Sequence, residues 1–243
     1  MARKTLMITG ASSGIGAATA MLAASDHDLA LHYNSNAAGM DETAAACRAA
    51  GAKVTIHRAD LGEPGHVEGL FESFDAAHDK LDGLVNNAGV VDNAAPVTDF
   101  TPDRVARMVT INLTSPILVA GQAARRMARG AAIVNVSSAA ARFGSPGQYV
   151  DYAATKGGLE VFSKGLAQEL AADGIRVNAV RPGIIATDIH GKGGQPERVD
   201  RLGPTVPMGR AGTAEEVARA ILWLLSDHAS YVTDTVLDVS GGR

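Results

Sequence analysis

The sequence predicts an α/β domain whose mostly parallel sheet is covered by helices on both faces, and two patterns carry that expectation. Short apolar runs rich in β-branched residues alternate with longer Ala- and Leu-rich stretches. Several runs are almost continuously apolar, as in Ala131-Ala132-Ile133-Val134-Asn135-Val136, which is how strands buried on both faces read. The length of 243 residues suits one domain, and a chain of that size buries roughly 70–75% of its unfolded surface.

Seven strands are expected at 4–9, 28–33, 53–58, 82–86, 131–137, 175–181 and 235–239, with helices near 14–25, 39–50, 64–78, 102–128, 152–172 and 214–226. Gly51, Asp60 and Gly62 punctuate the turns. Between 188 and 210 lie Gly191, Gly193, Gly194, Pro196, Gly203, Pro204 and Pro207, too many breakers for one regular element. A long irregular insert in a compact domain is usually functional, so this stretch is read as a substrate lid on a single domain spanning 1–243.

Composition removes several classes of function. A net charge of −4 without clustered Lys and Arg argues against a nucleic-acid partner. No apolar run approaches the ~20 residues of a membrane helix, and no signal-peptide pattern opens the chain. The single Cys47 excludes an internal disulfide framework and points to a cytoplasmic protein. The seven histidines show no close ligand spacing, so no metal is expected.

The first strand runs into Thr9-Gly10-Ala11-Ser12-Ser13-Gly14-Ile15-Gly16 and then a helix, the context in which backbone amides bind a pyrophosphate. Gly10 permits a tight turn, Gly14 removes a Cβ where phosphate approaches, and Gly16 allows close helix packing. No Gly-Lys-Ser or Gly-Lys-Thr follows, which demotes a nucleotide-hydrolysing P-loop. The second strand ends His32-Tyr33-Asn34-Ser35, without the carboxylate that would hold an unmodified adenosine ribose. A dinucleotide with a 2′-phosphate, NADP(H), is therefore favoured over NAD(H), although no Arg or Lys follows to attract that phosphate. Asp60, ending the third strand in Ala59-Asp60-Leu61, is read as an acceptor for the adenine amino group, with a turn-making Asp at a strand end as the alternative.

Tyr152 and Lys156 stand at i and i+4 on a helix whose same face carries Leu159, Leu166 and Leu170. An ammonium aimed at an apolar side needs a partner. A phenol beside it should have its pKa depressed and become usable as an acid/base. Tyr149 has Ala153 at i+4 and is rejected for that role. Ser138 ends the fifth strand, at the carboxyl edge where ligands bind, while Ser137 should face the other way.

Together with Asn86-Asn87-Ala88-Gly89, Asn112 and Pro182-Gly183 with Thr187, these residues resemble the short-chain dehydrogenase/reductase family in its compact form, along the whole chain. The nearest flavour is that of 3-oxoacyl-carrier-protein reductases and glucose-dehydrogenase-like members. The resemblance implies a Rossmann-type doubly wound sheet and hydride exchange between a nicotinamide and a carbonyl or secondary alcohol. It makes Ser138, Tyr152 and Lys156 catalytic and gives Asn112 a water that links Lys156 to solvent. It also implies cofactor contacts from Gly10, Ser12, Ser13, Gly14, Ile15 and Gly16, and from Tyr33, Asn34, Ser35, Asp60 and Leu61. Further contacts are implied for Asn87, Ala88, Gly89, Tyr152, Lys156, Pro182, Gly183, Ile184 and Thr187. A homotetramer is implied as well.

Two departures stand out: Ser138 and Tyr152 are one residue further apart than is usual, and Asp234 stands where the family commonly has Gly. Glu169 and Asp173 after the catalytic helix disfavour docking of an acidic carrier protein, so a small or medium free carbonyl or alcohol is preferred as substrate. A carrier-protein reductase is the alternative enzyme, and a non-catalytic nucleotide sensor the alternative of another class.

Overall fold

The computed structural model describes residues 3–243, apart from the side chain of His190. Its seven strands are β1 (Lys4–Ile8), β2 (His27–Tyr33), β3 (Val54–Arg58), β4 (Gly83–Asn86), β5 (Ala132–Val136), β6 (Arg176–Pro182) and β7 (Val236–Val239). They form one sheet in the order β3-β2-β1-β4-β5-β6-β7, parallel throughout. All seven expected strands are present, with ends shifted by a residue or so.

Ten helices connect or follow them: α1 (Gly14–Ala23), α2 (Ala37–Ala49), α3 (His66–Asp75), α4 (Pro102–Val109), α5 (Ser115–Ala124), α6 (Ala140–Phe143), α7 (Val150–Leu170), α8 (Ile189–Lys192), α9 (Arg198–Leu202) and α10 (Ala214–Leu225). Strand alternation divides the core. Leu6 and Ile8 face Met40, Val217, Ile221 and Leu224 on one side of the sheet. Met7 faces Leu70, Phe71 and Phe74 on the other. The chain reverses its direction of progress between β1 and β4, so the loops after those strands open a crevice at the carboxyl edge.

Two expectations need correction. The continuous helix at 102–128 is broken by a π-helical turn at Thr110–Thr114, which widens the backbone just where Asn112 is drawn inward. The loop between Ser138 and Tyr152 contains the unforeseen α6 and turns through left-handed backbone at Gly144, Ser145 and Gly147, with φ of 69°, 46° and 68°. Asp234 also adopts φ of 61°, the conformation that favours glycine.

Candidate active site

The crevice is built first by backbone. Gly10 and Gly14 turn the loop after β1 with φ of 66° and 55°. A Cβ on Gly16 would lie 2.3 Å from the Gly10 carbonyl oxygen and 2.6 Å from Asn87 Nδ2. The third glycine is therefore required by the loop's own carbonyl and by Asn87, a tighter constraint than general helix packing. Asn87 Nδ2 donates to the carbonyls of Thr9 and Gly10 at 2.9 and 3.1 Å, while Thr9 Oγ1 accepts the amides of Asn87 and Ala88 at 2.9 Å. Asn86 is buried and donates to the Pro116 carbonyl, a structural role.

His32 braces the same loop, which sequence reasoning missed. The Gly10 amide donates to its Nδ1 at 3.2 Å, which leaves Nε2 to donate to the Ala59 carbonyl at 3.0 Å. Burial brings this imidazole down to about 4, so it is neutral and an acceptor at neutral pH.

A cavity of about 450 Å³ lies over the loop. Its wall includes Gly10, Ser12, Ser13, Gly14 and Ile15, then Asn34 and Ser35, Asp60 and Leu61, Asn87 to Gly89, and Thr187. Of the expected contacts, Gly16 and Tyr33 line neither this cavity nor the adjoining one that holds Tyr152 and Lys156. Gly16 lies beneath the loop, and Tyr33 packs against the core because its strand position points inward. Asp60 Oδ1 accepts the Gly62 amide at 2.9 Å, so one carboxylate oxygen shapes the turn.

The cavity fits a dinucleotide. The Ser13 hydroxyl caps no amide of α1, the first turn of that helix carries no acid, and only the Thr187 side chain comes within 4 Å of the place a Gly14 Cβ would occupy. Arg58, at the end of β3, donates from Nε to the Asn34 carbonyl at 3.1 Å. The sequence placed no cation after β2; the neighbouring strand brings one alongside.

The second cavity, of about 320 Å³, adjoins the first and shares Ile15, Asn87, Gly89 and Thr187 with it. Ser138, Tyr152, Lys156, Pro182, Gly183 and Ile184 line it. Buried Lys156 sits with Leu159, Ser163 and Leu166 on the inward face of α7, and its Nζ donates to the Val136 carbonyl at 2.8 Å. Burial brings Lys156 down to about 8. Nζ lies 5.7 Å from the centre of the Tyr152 ring.

Here the structure reverses one expectation. The Tyr152 phenol is held above its ordinary pKa by burial, and the Ser138 hydroxyl offsets only part of this. The ammonium expected to lower it is itself desolvated and is engaged by Val136. Ser137 points away, donating to Glu160 Oε1 at 2.6 Å, as strand alternation requires.

Asn112 is fully buried in the π turn. Its Oδ1 accepts the Val90 amide and its Nδ2 donates to the Val90 carbonyl, both at 2.9 Å. Nδ2 also meets Met108 Sδ at 2.7 Å. The side-chain amide thus clamps the loop after β4. A Cβ on Gly89 would lie 2.9 Å from Asn112 Oδ1 and 3.5 Å from Lys156 Nζ, so this glycine keeps the two side chains close.

Neighbours fix the start of α7. Asp151 Oδ1 accepts the Tyr152 amide at 2.9 Å, and its Oδ2 pairs with Arg104 Nε at 2.7 Å. Tyr149, rejected as an acid/base, fastens the 188–210 segment: its hydroxyl donates to the Gly193 carbonyl at 3.1 Å and accepts from Gln195 Nε2 at 2.9 Å. The contacts with Arg104, Gly193 and Gln195 carried no sequence signal, because each joins residues more than forty positions apart.

Comparison with known proteins agrees with this geometry. Residues 10–243 match the family model described as enoyl-(acyl carrier protein) reductase. The chain is 46% identical to the oxidoreductase YgfF of Escherichia coli, over 98% of each chain. It is 36% identical to the 3-oxoacyl-[acyl-carrier-protein] reductase FabG of Chlamydia pneumoniae, over 98% of this chain and 96% of that one. Among solved structures, the angucycline C-6 ketoreductase LanV with bound NADP matches with a TM-score of 0.92 and 33% identity, over 98% of this chain and 95% of that one. A short chain dehydrogenase from Burkholderia cenocepacia in complex with NADP matches with a TM-score of 0.91 and 30% identity, over 98% and 97% of the two chains. The chain belongs to the short-chain dehydrogenase/reductase family and is an oxidoreductase that works between alcohols and carbonyls with a nicotinamide cofactor.

Proposed function

We propose that this enzyme interconverts a small or medium free carbonyl and its alcohol, with Tyr152 as the proton donor and acceptor and NADP(H) as the preferred cofactor. The observation that carries the proposal is the shared wall: the pocket holding Ser138, Tyr152 and Lys156 opens directly onto the glycine-loop crevice. Bound there, the nicotinamide would supply or accept the hydride. Gly10, Ser12, Ser13, Gly14 and Ile15 would hold its phosphates, and Pro182, Gly183, Ile184 and Thr187 its nicotinamide end.

In reduction, Tyr152 gives its proton to the carbonyl oxygen. Burial keeps the phenol protonated at neutral pH, and the Ser138 hydroxyl beside it works against that rise, in the direction that eases proton transfer. Ser138 donates a hydrogen bond to the same oxygen as negative charge develops on it. Lys156 holds positive charge beside the phenol, and Asn112 keeps the loop under Gly89 in place.

The preference for NADP(H) rests on neutral Asn34 and Ser35, on Arg58 beside them, and on the NADP carried by the related structures. A homotetramer is supported by apolar residues exposed on the outer helices: Val105 and Val109 on α4, Leu118 on α5, and Val161 on α7 at 74% exposure. Among the described residues no helix is long and apolar enough to cross a membrane. Cys47 is buried and pushed up to about 11, an inert thiol that suits a cytoplasmic setting.

A carrier-protein thioester is the second reading, favoured by relatives of that name and by Arg129, which bonds the Ala172 carbonyl and makes the surface near Glu169 and Asp173 mixed in charge. The test is NADPH and NADH oxidation against ketones, β-ketoesters and a carrier-protein thioester. Turnover of free ketones at least as efficient as of the thioester is expected. Exclusive use of the thioester would replace the first reading, and silence in both directions with every substrate would leave a nucleotide sensor.

A further inference from the structure

The walls of the substrate pocket are unevenly charged. Two arginines line it, Arg198 from α9 and Arg243, and none of its described lining residues is Asp or Glu. The neighbouring cavities behave differently. Arg142 and Arg210, which share the adjoining cavity with Arg243, are paired there with Asp238 and Glu216; in the nucleotide crevice Arg107 is paired with Asp92 and Lys192 is exposed to water.

Arg198 is half-buried and is met only by neutral oxygens. Its Nη1 donates to Oε1 of Gln148 at 2.5 Å and to Oε1 of Gln195 at 3.0 Å, and its guanidinium lies 5.5 Å from the centre of the Tyr149 ring. Gln195 Oε1 also accepts from Arg201 Nη2 at 2.9 Å, so two cations share one amide oxygen. The Arg243 guanidinium lies 5.7 Å from the Phe143 ring centre, and its buried Nη1 has no hydrogen-bond partner among the described residues. Burial lowers the pKa of Arg198; Tyr149 opposes this, while Arg201 and Arg243 push it the same way as burial. Glu197 and Asp200, the acids at the start of α9 and within it, are exposed, and among the described residues neither forms an ion pair with Arg198 or Arg243.

Gathering partly desolvated like charges is costly unless an anion meets them. The cofactor phosphates are not that anion, because neither arginine lines the crevice over the glycine loop. From this arrangement we infer that the substrate carries its own anionic group, a carboxylate or a phosphate, bound by Arg198 and Arg243 while its carbonyl lies at Tyr152 and Ser138. The inference rests on the reductase reading and narrows its substrate class. Arginine suits it, since its planar fork matches both groups with two parallel hydrogen bonds.

The test compares matched pairs of small ketones with NADPH: acetoacetate against methyl acetoacetate, and dihydroxyacetone phosphate against dihydroxyacetone. In the wild type, kcat/KM for at least one anion should exceed that for its neutral partner tenfold or more, mainly through KM, and the pair with the larger ratio identifies the anion. Arg198→Gln should lower that ratio at least tenfold, and Arg198→Lys should restore part of it. Arg210→Gln, in the paired cavity, should leave the ratio where it was. Neutral ketones reduced as well as their anionic partners would overturn the inference while leaving the reductase reading intact. An equal fall in Arg210→Gln would overturn it too, as a general surface effect. Reduction of neither member of any pair, nor of any other carbonyl, would overturn the reductase reading and the inference with it.

Discussion

Two cavities share one sheet edge, yet they are made of different materials. Over the glycine loop the nucleotide crevice is shaped by backbone, small neutral side chains and a neutral imidazole, His32, that accepts a hydrogen bond from Gly10, while among its charged lining residues Arg107, Asp188 and Lys192 are exposed to water. The substrate pocket is shaped by ionisable side chains taken out of water: Tyr152, Lys156, Arg198 and Arg243. A site made of backbone is specified by where glycines stand, and it answers to sterics. A site made of desolvated ionisable groups answers to pH and to the charge of what enters it.

The largest contrast is expected in the pH dependence of stability, where each cavity owns one limb. His32 has a pKa of about 4 when folded against 6.5 when free, so the unfolded chain binds more protons between those values and stability falls as pH drops through that window. The loss is about 3 kcal/mol at 1.36 kcal/mol per unit. His57 is lowered to about 4 as well and adds to the same limb. Lys156 sits at about 8 against 10.5, so again the unfolded chain binds more protons, and the contribution of this group rises as pH climbs from 8 to 10.5, by about 3 kcal/mol, while Cys47, at about 11 against 9.0, opposes it above pH 9. Urea unfolding from pH 4 to 10.5 measures both limbs. His32→Asn should reduce the acid limb to the part that His57 contributes and leave the alkaline limb unchanged, and Lys156→Met should reduce the alkaline limb alone; a variant that changes both would break the division.

A steric change should injure only the crevice. Gly16→Ala places a methyl 2.3 Å from the Gly10 carbonyl oxygen, and the strain is expected to cost about 2–3 kcal/mol. Calorimetric titration should show NADPH binding weakened at least tenfold. Next in size, Arg58→Ala should lower the affinity for NADPH about tenfold relative to NADH, the equivalent of about 1.4 kcal/mol; equal losses for both nucleotides would remove Arg58 from 2′-phosphate recognition.

The smallest effect lies far from both cavities. Asp234 holds φ of 61°, and Asp234→Gly should raise stability by about 0.5–1 kcal/mol by relieving the left-handed backbone. Thermal unfolding of the two proteins decides this.

The crevice was legible in the sequence because its rules are local. Gly10, Gly14 and Gly16 lie within seven residues, and the strand and helix around them follow from apolar periodicity. Tyr152 and Lys156 were legible because one helical turn relates them. What escaped is what the fold brings together from afar. Arg58 reaches Asn34 only because β2 and β3 are neighbours in register, Tyr33 beside Arg58. His32 meets Gly10 across two strands. The π turn at Asn112 had a signal that went unread, Pro116, which has no N–H to give the Asn112 carbonyl four residues back; the direction of the Tyr152 shift depended on burial and on the Lys156 bond to Val136, neither of which a spacing encodes.

The measurement that reaches the central proposal most directly is single-turnover reduction of a carbonyl by the Tyr152→Phe enzyme saturated with NADPH, beside a fluorescence titration of NADPH with the same protein. With Tyr152 as the proton donor, the rate should fall by about 10²–10⁴-fold while NADPH affinity stays within threefold of wild type. A variant that binds NADPH normally and reduces the carbonyl at the wild-type rate would contradict the account.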